Sequence, residues 1–144
     1  MCLSSDVEKA KEVFDSGKYT CVLCKGDTLI TSTERGVKPL VDFIDSGEDY
    51  TGFSAVDKIV GKSAGHLYML MGVKSVHAVV MSREASEFLT SGGVKSTADT
   101  FTEKIINRMG NDICPMEKFV AGIDDSQLAL LRIRETMAEL QKNH

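Results

Sequence analysis

The fold is decided by reading Val73-Lys74-Ser75-Val76-His77-Ala78-Val79-Val80-Met81, an almost continuous apolar run between Gly72 and Ser82. A strand of this composition is buried on both faces, as in a parallel sheet covered by helices. A sheet with one wet face alternates apolar and polar residues instead. Parallel strands need crossover connections, usually helices, and the flanking sequence supplies two. Upstream, Asp57 to about Met71 reads as a helix capped by Asp57, with Ile59, Val60, Ala64, Leu67, Tyr68 and Met71 as its buried stripe. Gly61 and Gly65 each cost about 1 kcal/mol relative to Ala inside a helix. Close approach of the backbone to a sheet or a ligand would offset that cost. Downstream, Ser82 caps a helix with Ala85, Phe88 and Leu89 inward, stopped by Gly92-Gly93.

Further toward the N-terminus, Tyr19 to Lys25 and Thr28 to Ser32 are β-prone and joined by the Gly26-Asp27 turn, which makes an antiparallel hairpin. Before it, Ser5-Asp6-Val7-Glu8 is a capping box followed at helical spacing by Val7, Ala10 and Phe14, with Gly17 as the stop. Pro39 opens a short helix carrying Leu40, Phe43 and Ile44 and ending at Ser46-Gly47, after which Glu48 to Ser54 is loop-like. Beyond Gly93, a short strand is expected around Val94 to Ser96 and another around Lys104 to Asn107. A helix then starts at Cys114-Pro115 and reaches about Ala121. A last one starts at Asp125-Ser126, with Leu130, Ile133, Met137 and Leu140 on one stripe. A hairpin followed by strand–helix alternation gives an α/β layered domain with a mixed sheet.

At 144 residues the chain suits one domain with a real core. Lys and Arg are scattered and the net charge is −4, which argues against nucleic acid or an anionic membrane as partner. No apolar run has the length of a membrane span, and the N-terminus lacks a signal-peptide core. Four cysteines without a staple-like pattern read as reduced thiols, hence a cytoplasmic protein.

Two clusters carry the chemical expectations. Cys114 stands at a helix N-cap before Pro115, where free N–H groups and the helix dipole favour a thiolate, and Arg108 adds to the effect. Against this stands a buried, inert cysteine, with Arg108 in a surface ion pair and Glu117 closing a capping box for its own helix. Lys58 and Lys62, four apart on the first turns of the Asp57 helix, repel each other and the dipole, so a bound phosphate or carboxylate would relieve both. The plain alternative is two lysines reaching solvent. Gly61-Lys62-Ser63 is not a phosphate-binding loop, because the Gly required five residues before Gly61 is Val56. Cys21 and Cys24 have redox spacing, but on a strand they point to opposite faces. His66 and His77 read as packing residues.

With these elements placed, the chain resembles the domain of unknown function 1893 family, within the cytidine-deaminase-like fold. The stretches that carry the resemblance are Gly36-Val37-Lys38-Pro39-Leu40, Val56 through Ala64, Asn107-Arg108 and Cys114-Pro115-Met116-Glu117-Lys118. The resemblance implies a three-layer α/β/α sandwich around a five-stranded mixed sheet, and no established activity. Zinc deaminases of that fold carry His- or Cys-Ala-Glu and Pro-Cys-x-x-Cys at two helix starts. The counterparts expected here, Val56-Asp57-Lys58 and Met81-Ser82-Arg83-Glu84-Ala85, offer no His or Cys, so no metal site is expected. The resulting expectation is a metal-free protein whose cleft binds a small anionic, nucleotide-like ligand through Asp57, Lys58, Lys62, Ser82 and Arg108. Cys114 is its candidate catalytic residue, any chemistry being thiol- or acid/base-based, and no cofactor is specified. The alternative is a non-catalytic regulatory or scaffold subunit with a vestigial cleft. Self-association as a homodimer is compatible with either.

Overall fold

The computed structural model describes residues 6–34, 36–106, 110 and 114–142, with side chains as far as residue 139. The expectations placed on Ser5, Asn107, Arg108 and the side chain of Leu140 fall outside these residues. The elements run α1 Asp6–Ser16, β1 Cys21–Lys25, β2 Thr28–Ser32, α2 Lys38–Asp45, β3 Ser54–Val60, α3 Lys62–Met71, β4 Ser75–Ser82, α4 Arg83–Ser91, β5 Lys95–Thr102, α5 Pro115–Val120 and α6 Ser126–Lys142. They build an α/β fold around one five-stranded sheet of order β2-β1-β3-β4-β5. β1 is antiparallel to β2 and β3, while β3, β4 and β5 are mutually parallel, so the sheet is mixed. Lys25 pairs with Thr28 across the Gly26-Asp27 turn, where Gly26 takes φ +59°, a left-handed value that favours glycine.

Helices pack on both faces. On one, α1 sets Ala10 against Val22, Cys24 and Val56. On the other, α2, α3 and α4 close a larger core containing Leu23, Leu40, Leu67, Tyr68, Val76, Met81 and Leu89. β4 is buried nearly throughout, as its apolar run requires. Cys21 lies in the α3 core and Cys24 in the α1 core, on the opposite faces that strand alternation demands. α5 and α6 pack over α3, contributing Val120, Ala129 and Ile133 to the same core. As a result α3 is covered on all sides, and every residue from Gly61 to Tyr68 is buried. Among the described residues no helix is long and apolar enough to cross a membrane.

Three readings differ from the structure: no strand runs through 104–106, and two boundaries move. The segment beginning at Asp57 is not helical: β3 continues to Val60, and α3 begins at Lys62 after Gly61. Val56, Ile59 and Val60 suit either state, and the decision comes from pairing, since β3 lies between β1 and β4 and completes both ladders. β5 is eight residues long, not three, because Thr97, Thr100, Phe101 and Thr102 favour extended backbone even without an apolar alternation.

Leu67 is fully buried between the sheet and the outer helices. Leu67→Ala is expected to cost about 2–5 kcal/mol, seen as a lower midpoint in urea unfolding with little change in slope.

Candidate functional site

The turn from β3 into α3 is the most elaborated polar region of the molecule. Gly61 is the extended N-cap of α3 and offers no side chain to its free N–H groups. Those groups are taken by Glu117 in the first turn of α5. The Lys62 N–H donates to Oε1 at 2.7 Å and the Ser63 N–H to Oε2 at 3.0 Å, while the Ser63 hydroxyl also donates to Oε2. A carboxylate thus sits where a helix N-terminus binds a free anion. Gly61 makes room for it, since a Cβ there would overlap the Glu117 carboxyl group. This corrects the capping-box reading: Glu117 closes α3, and α5 has no side-chain cap at Cys114.

Lys62 runs along the same helix start. Its side chain is only 6% exposed, and its ammonium pairs at 3.0 Å with Asp124, whose side chain is 88% exposed. The ammonium also stands 5.7 Å from the centre of the Phe88 ring, within cation–π range. Lys62, Asp124, Glu84, Glu87, Phe88 and Ser91 line an open groove of about 470 Å³ between α3 and α4. Deeper, His66 places Nε2 at 2.9 Å from the Ile123 carbonyl and Nδ1 at 2.9 Å from the Ser126 hydroxyl. The carbonyl can only accept, so Nε2 carries the proton and Nδ1 accepts from Ser126. Burial holds its pKa below the usual histidine value. His66 is therefore a neutral bolt between α3 and the start of α6.

Beneath α3, Asp57 faces inward from β3. Tyr68 donates its hydroxyl to Asp57 Oδ2 at 2.6 Å, and the Cys21 thiol lies 3.2 Å from the same phenol oxygen. Because the phenol proton points to Asp57, the thiol donates to the phenol, giving a buried line of thiol, phenol and carboxylate. Removal from water raises the Asp57 pKa to about 6, opposed by the Tyr68 hydrogen bond and the Lys58 and Ile59 N–H groups. Burial also raises Cys21, helped by the Asp57 charge, and raises Tyr68.

The expected ligand-binding set is therefore not assembled as the sequence suggested. Asp57 is a buried strand carboxylate, not a helix cap. Lys58 is exposed on β3 and does not share a helix face with Lys62, because the two belong to different elements. Ser82 is buried, and its hydroxyl accepts from the Ala85 N–H at 3.1 Å as the cap of α4. Cys114 is half-buried with a free thiol, its N–H bonded to the Ile105 carbonyl. Only Lys62 lines the groove. Its partners Glu117, Asp124 and Phe88 were missed as such; the one local clue was Gly61, costly in a helix unless something approaches it closely.

The helix starts after β3 and β4, Lys62-Ser63-Ala64 and Arg83-Glu84-Ala85, supply neither His nor Cys. Among the described residues no group of three or more His, Cys, Asp or Glu side chains could hold a metal ion. The residues present do not fit the zinc of a deaminase.

The fold and the site define an α/β protein with a mixed sheet in which the anion position at a central helix start is filled by the chain's own carboxylate. The chain belongs to the family described as Domain of unknown function (DUF1893), whose model matches residues 9–137. It is similar to the crystal structure of a DUF1893 family protein from Thermotoga maritima, with TM-score 0.85 and 23% identity over 94% of this chain and 92% of that one. It also matches the crystal structure of dCMP deaminase from the cyanophage S-TIM5 in apo form, with TM-score 0.43 and 14% identity over 64% of this chain and 92% of that one. No curated protein matches it.

Two expectations follow. Gly61→Ala should displace the Glu117 carboxylate and cost about 2 kcal/mol, and the extended N-cap position gains nothing from alanine's helix propensity. Chemical denaturation beside a Gly65→Ala control measures it, because a Cβ at Gly65 meets only ordinary contacts of 3.7 Å and more. Asp57 titrates at about 6 in the fold and at 3.8 by itself, so the folded state holds its proton more tightly. Its contribution to stability is full below about pH 4, falls as pH rises through the 4–6 window, and is lost above it, a change on the order of 3 kcal/mol. Asp57→Asn should remove this term, so the variant gains stability relative to wild type between pH 4 and 7 in urea titrations.

Proposed function

We propose that this protein binds a small ligand in the α3–α4 groove, anchored by its anionic group on Lys62. The observation that carries the reading is the Lys62 ammonium, almost fully buried along its stem, lining the groove with one carboxylate partner on an exposed loop. Such a cation can exchange Asp124 for a ligand anion at little structural cost. Glu84 and Glu87 on the groove wall oppose a bare anion, so the ligand must also bring hydrogen-bond donors or positive charge to them. An amino-bearing nucleoside monophosphate satisfies both demands. Its phosphate would meet Lys62, its exocyclic amine the glutamates, and its base the half-buried Phe88. Cys114 does not line the groove, so the reading is one of binding, not thiol catalysis. It includes a single domain in the cytoplasm, with neither nucleic acid nor membrane as partner.

One observation favours a second reading, a non-catalytic regulatory subunit: Glu117 already occupies the anion position at the start of α3. The readings separate by thermal shift with cytidine monophosphate, adenosine monophosphate, uridine monophosphate and inorganic phosphate. Groove binding predicts stabilisation by the two amino-bearing nucleotides, weaker effects of uridine monophosphate and phosphate, and loss of all of them in Lys62→Met. Asp124→Asn should tighten binding by removing the internal competitor. Wild-type protein unmoved by all four probes would overturn the groove reading in favour of the second.

A further inference from the structure

β5 is an edge strand of eight residues, hydrogen-bonded to β4 alone within the sheet. Natural edges of this length are usually blunted by charged side chains, proline, a bulge or a covering element, and of these β5 carries only the charges of Lys95 and Asp99. Lys95-Ser96-Thr97-Ala98-Asp99-Thr100-Phe101-Thr102 contains no proline or glycine, is rich in β-branched threonine, and leaves Phe101 40% exposed. α4 covers one face of the strand, where Ser96 meets Ser86 at 2.9 Å. We propose that this edge pairs with the β5 edge of a second copy of the chain, antiparallel about a two-fold axis, joining two sheets into one.

The register follows from the ladder and the charges. The Lys95 N–H donates to the Lys74 carbonyl on the β4 side at 3.1 Å. Strand alternation then turns the N–H and C=O groups of Ser96, Ala98 and Thr100 away from β4, toward a partner. Two-fold pairing can centre on Ala98, Asp99 or Thr97. Centring on Asp99 opposes two carboxylates. Centring on Ala98 sets Lys95 against Phe101. Centring on Thr97 sets Lys95 against Asp99 of the second copy, and Asp99 against Lys95, on one face of the joined sheet. Among the described residues Lys95 has no ion-pair partner, and Asp99 is 64% exposed with one oxygen 3.2 Å from His77 Nε2. The strand is thus self-complementary in charge, as an isologous interface must be. The opposite edge, β2, has five residues and no charge to select a register.

Sedimentation equilibrium of the full chain over a wide concentration range tests the pairing. Wild type should approach twice the 15.7 kDa chain mass. Ala98→Pro removes an outward N–H that this register sets against Ser96 of the second copy, leaves the β4 ladder untouched, and should give a monomer. Asp99→Lys opposes two lysine pairs and should weaken association roughly tenfold or more, while His77 keeps its bond to Thr97. Lys95→Asp combined with Asp99→Lys should restore the dimer. Circular dichroism confirms that each variant is folded. A wild-type monomer at every concentration, or a dimer unchanged in both Ala98→Pro and Asp99→Lys, overturns the proposal.

Discussion

The carboxylate of Glu117 on the first turn of α3 is the contact from which the outer half of the molecule takes its position. A helix buried on every side cannot leave its leading N–H groups to water, and an unsatisfied buried donor costs about 1–3 kcal/mol. Gly61 contributes no cap of its own, so a partner must come from elsewhere in the chain. α5 delivers it, and the placement of α5 in turn fixes the Ile123-Asp124-Asp125 segment and the start of α6. His66 and Lys62 fasten that segment to α3 through Ile123, Ser126 and Asp124. One helix, α3, therefore organises two others, α5 and α6, using polar contacts at its start and apolar contacts along its flank.

These polar contacts specify more than they stabilise. Replacing water by protein partners returns only part of the cost of burial, and buried charged groups gain least. Asp57 illustrates the point. It is held by Tyr68 and two backbone N–H groups, yet its pKa still rises to about 6, so desolvation outweighs the bonds it receives. What the arrangement secures is orientation: Tyr68 can bridge Asp57 on β3 and Cys21 on β1 only if α3 lies over the sheet in a single rotation and register. No buried side-chain nitrogen or oxygen among the described residues lacks a hydrogen-bond partner, which is the condition for such a polar core to hold together.

Self-satisfaction also shapes what the surface can do. The N-terminus of α3 is met by the protein's own carboxylate. The binding potential that remains lies beside it, on the Lys62 ammonium and the acidic wall opposite. On the reading proposed above, a groove with one cation and three nearby carboxylates would demand donors and an anion in a fixed relation.

Much of the architecture was legible in the residues because its signals are local. Gly26-Asp27 defines the hairpin, Pro39 opens α2, Ser82 caps α4, Gly72 ends α3, and the apolar run through Val80 reports a strand covered on both faces. Each acts within a turn or along a single strand. The start of α3 was misread because Asp57 to Met71 also carries a helical period, and only pairing with β1 and β4 keeps its first residues extended. The site was hidden for a stronger reason. Lys62 meets Glu117 across 55 residues of chain and Asp124 across 62. Sequence spacing records which residues share a helix face or a strand face. It carries no record of which distant carboxylate the packing of α5 and α6 will bring to a helix end. The sequence by itself determined the elements and most of their order of alternation; the tertiary structure alone decided that the anion at the start of α3 is the protein's own.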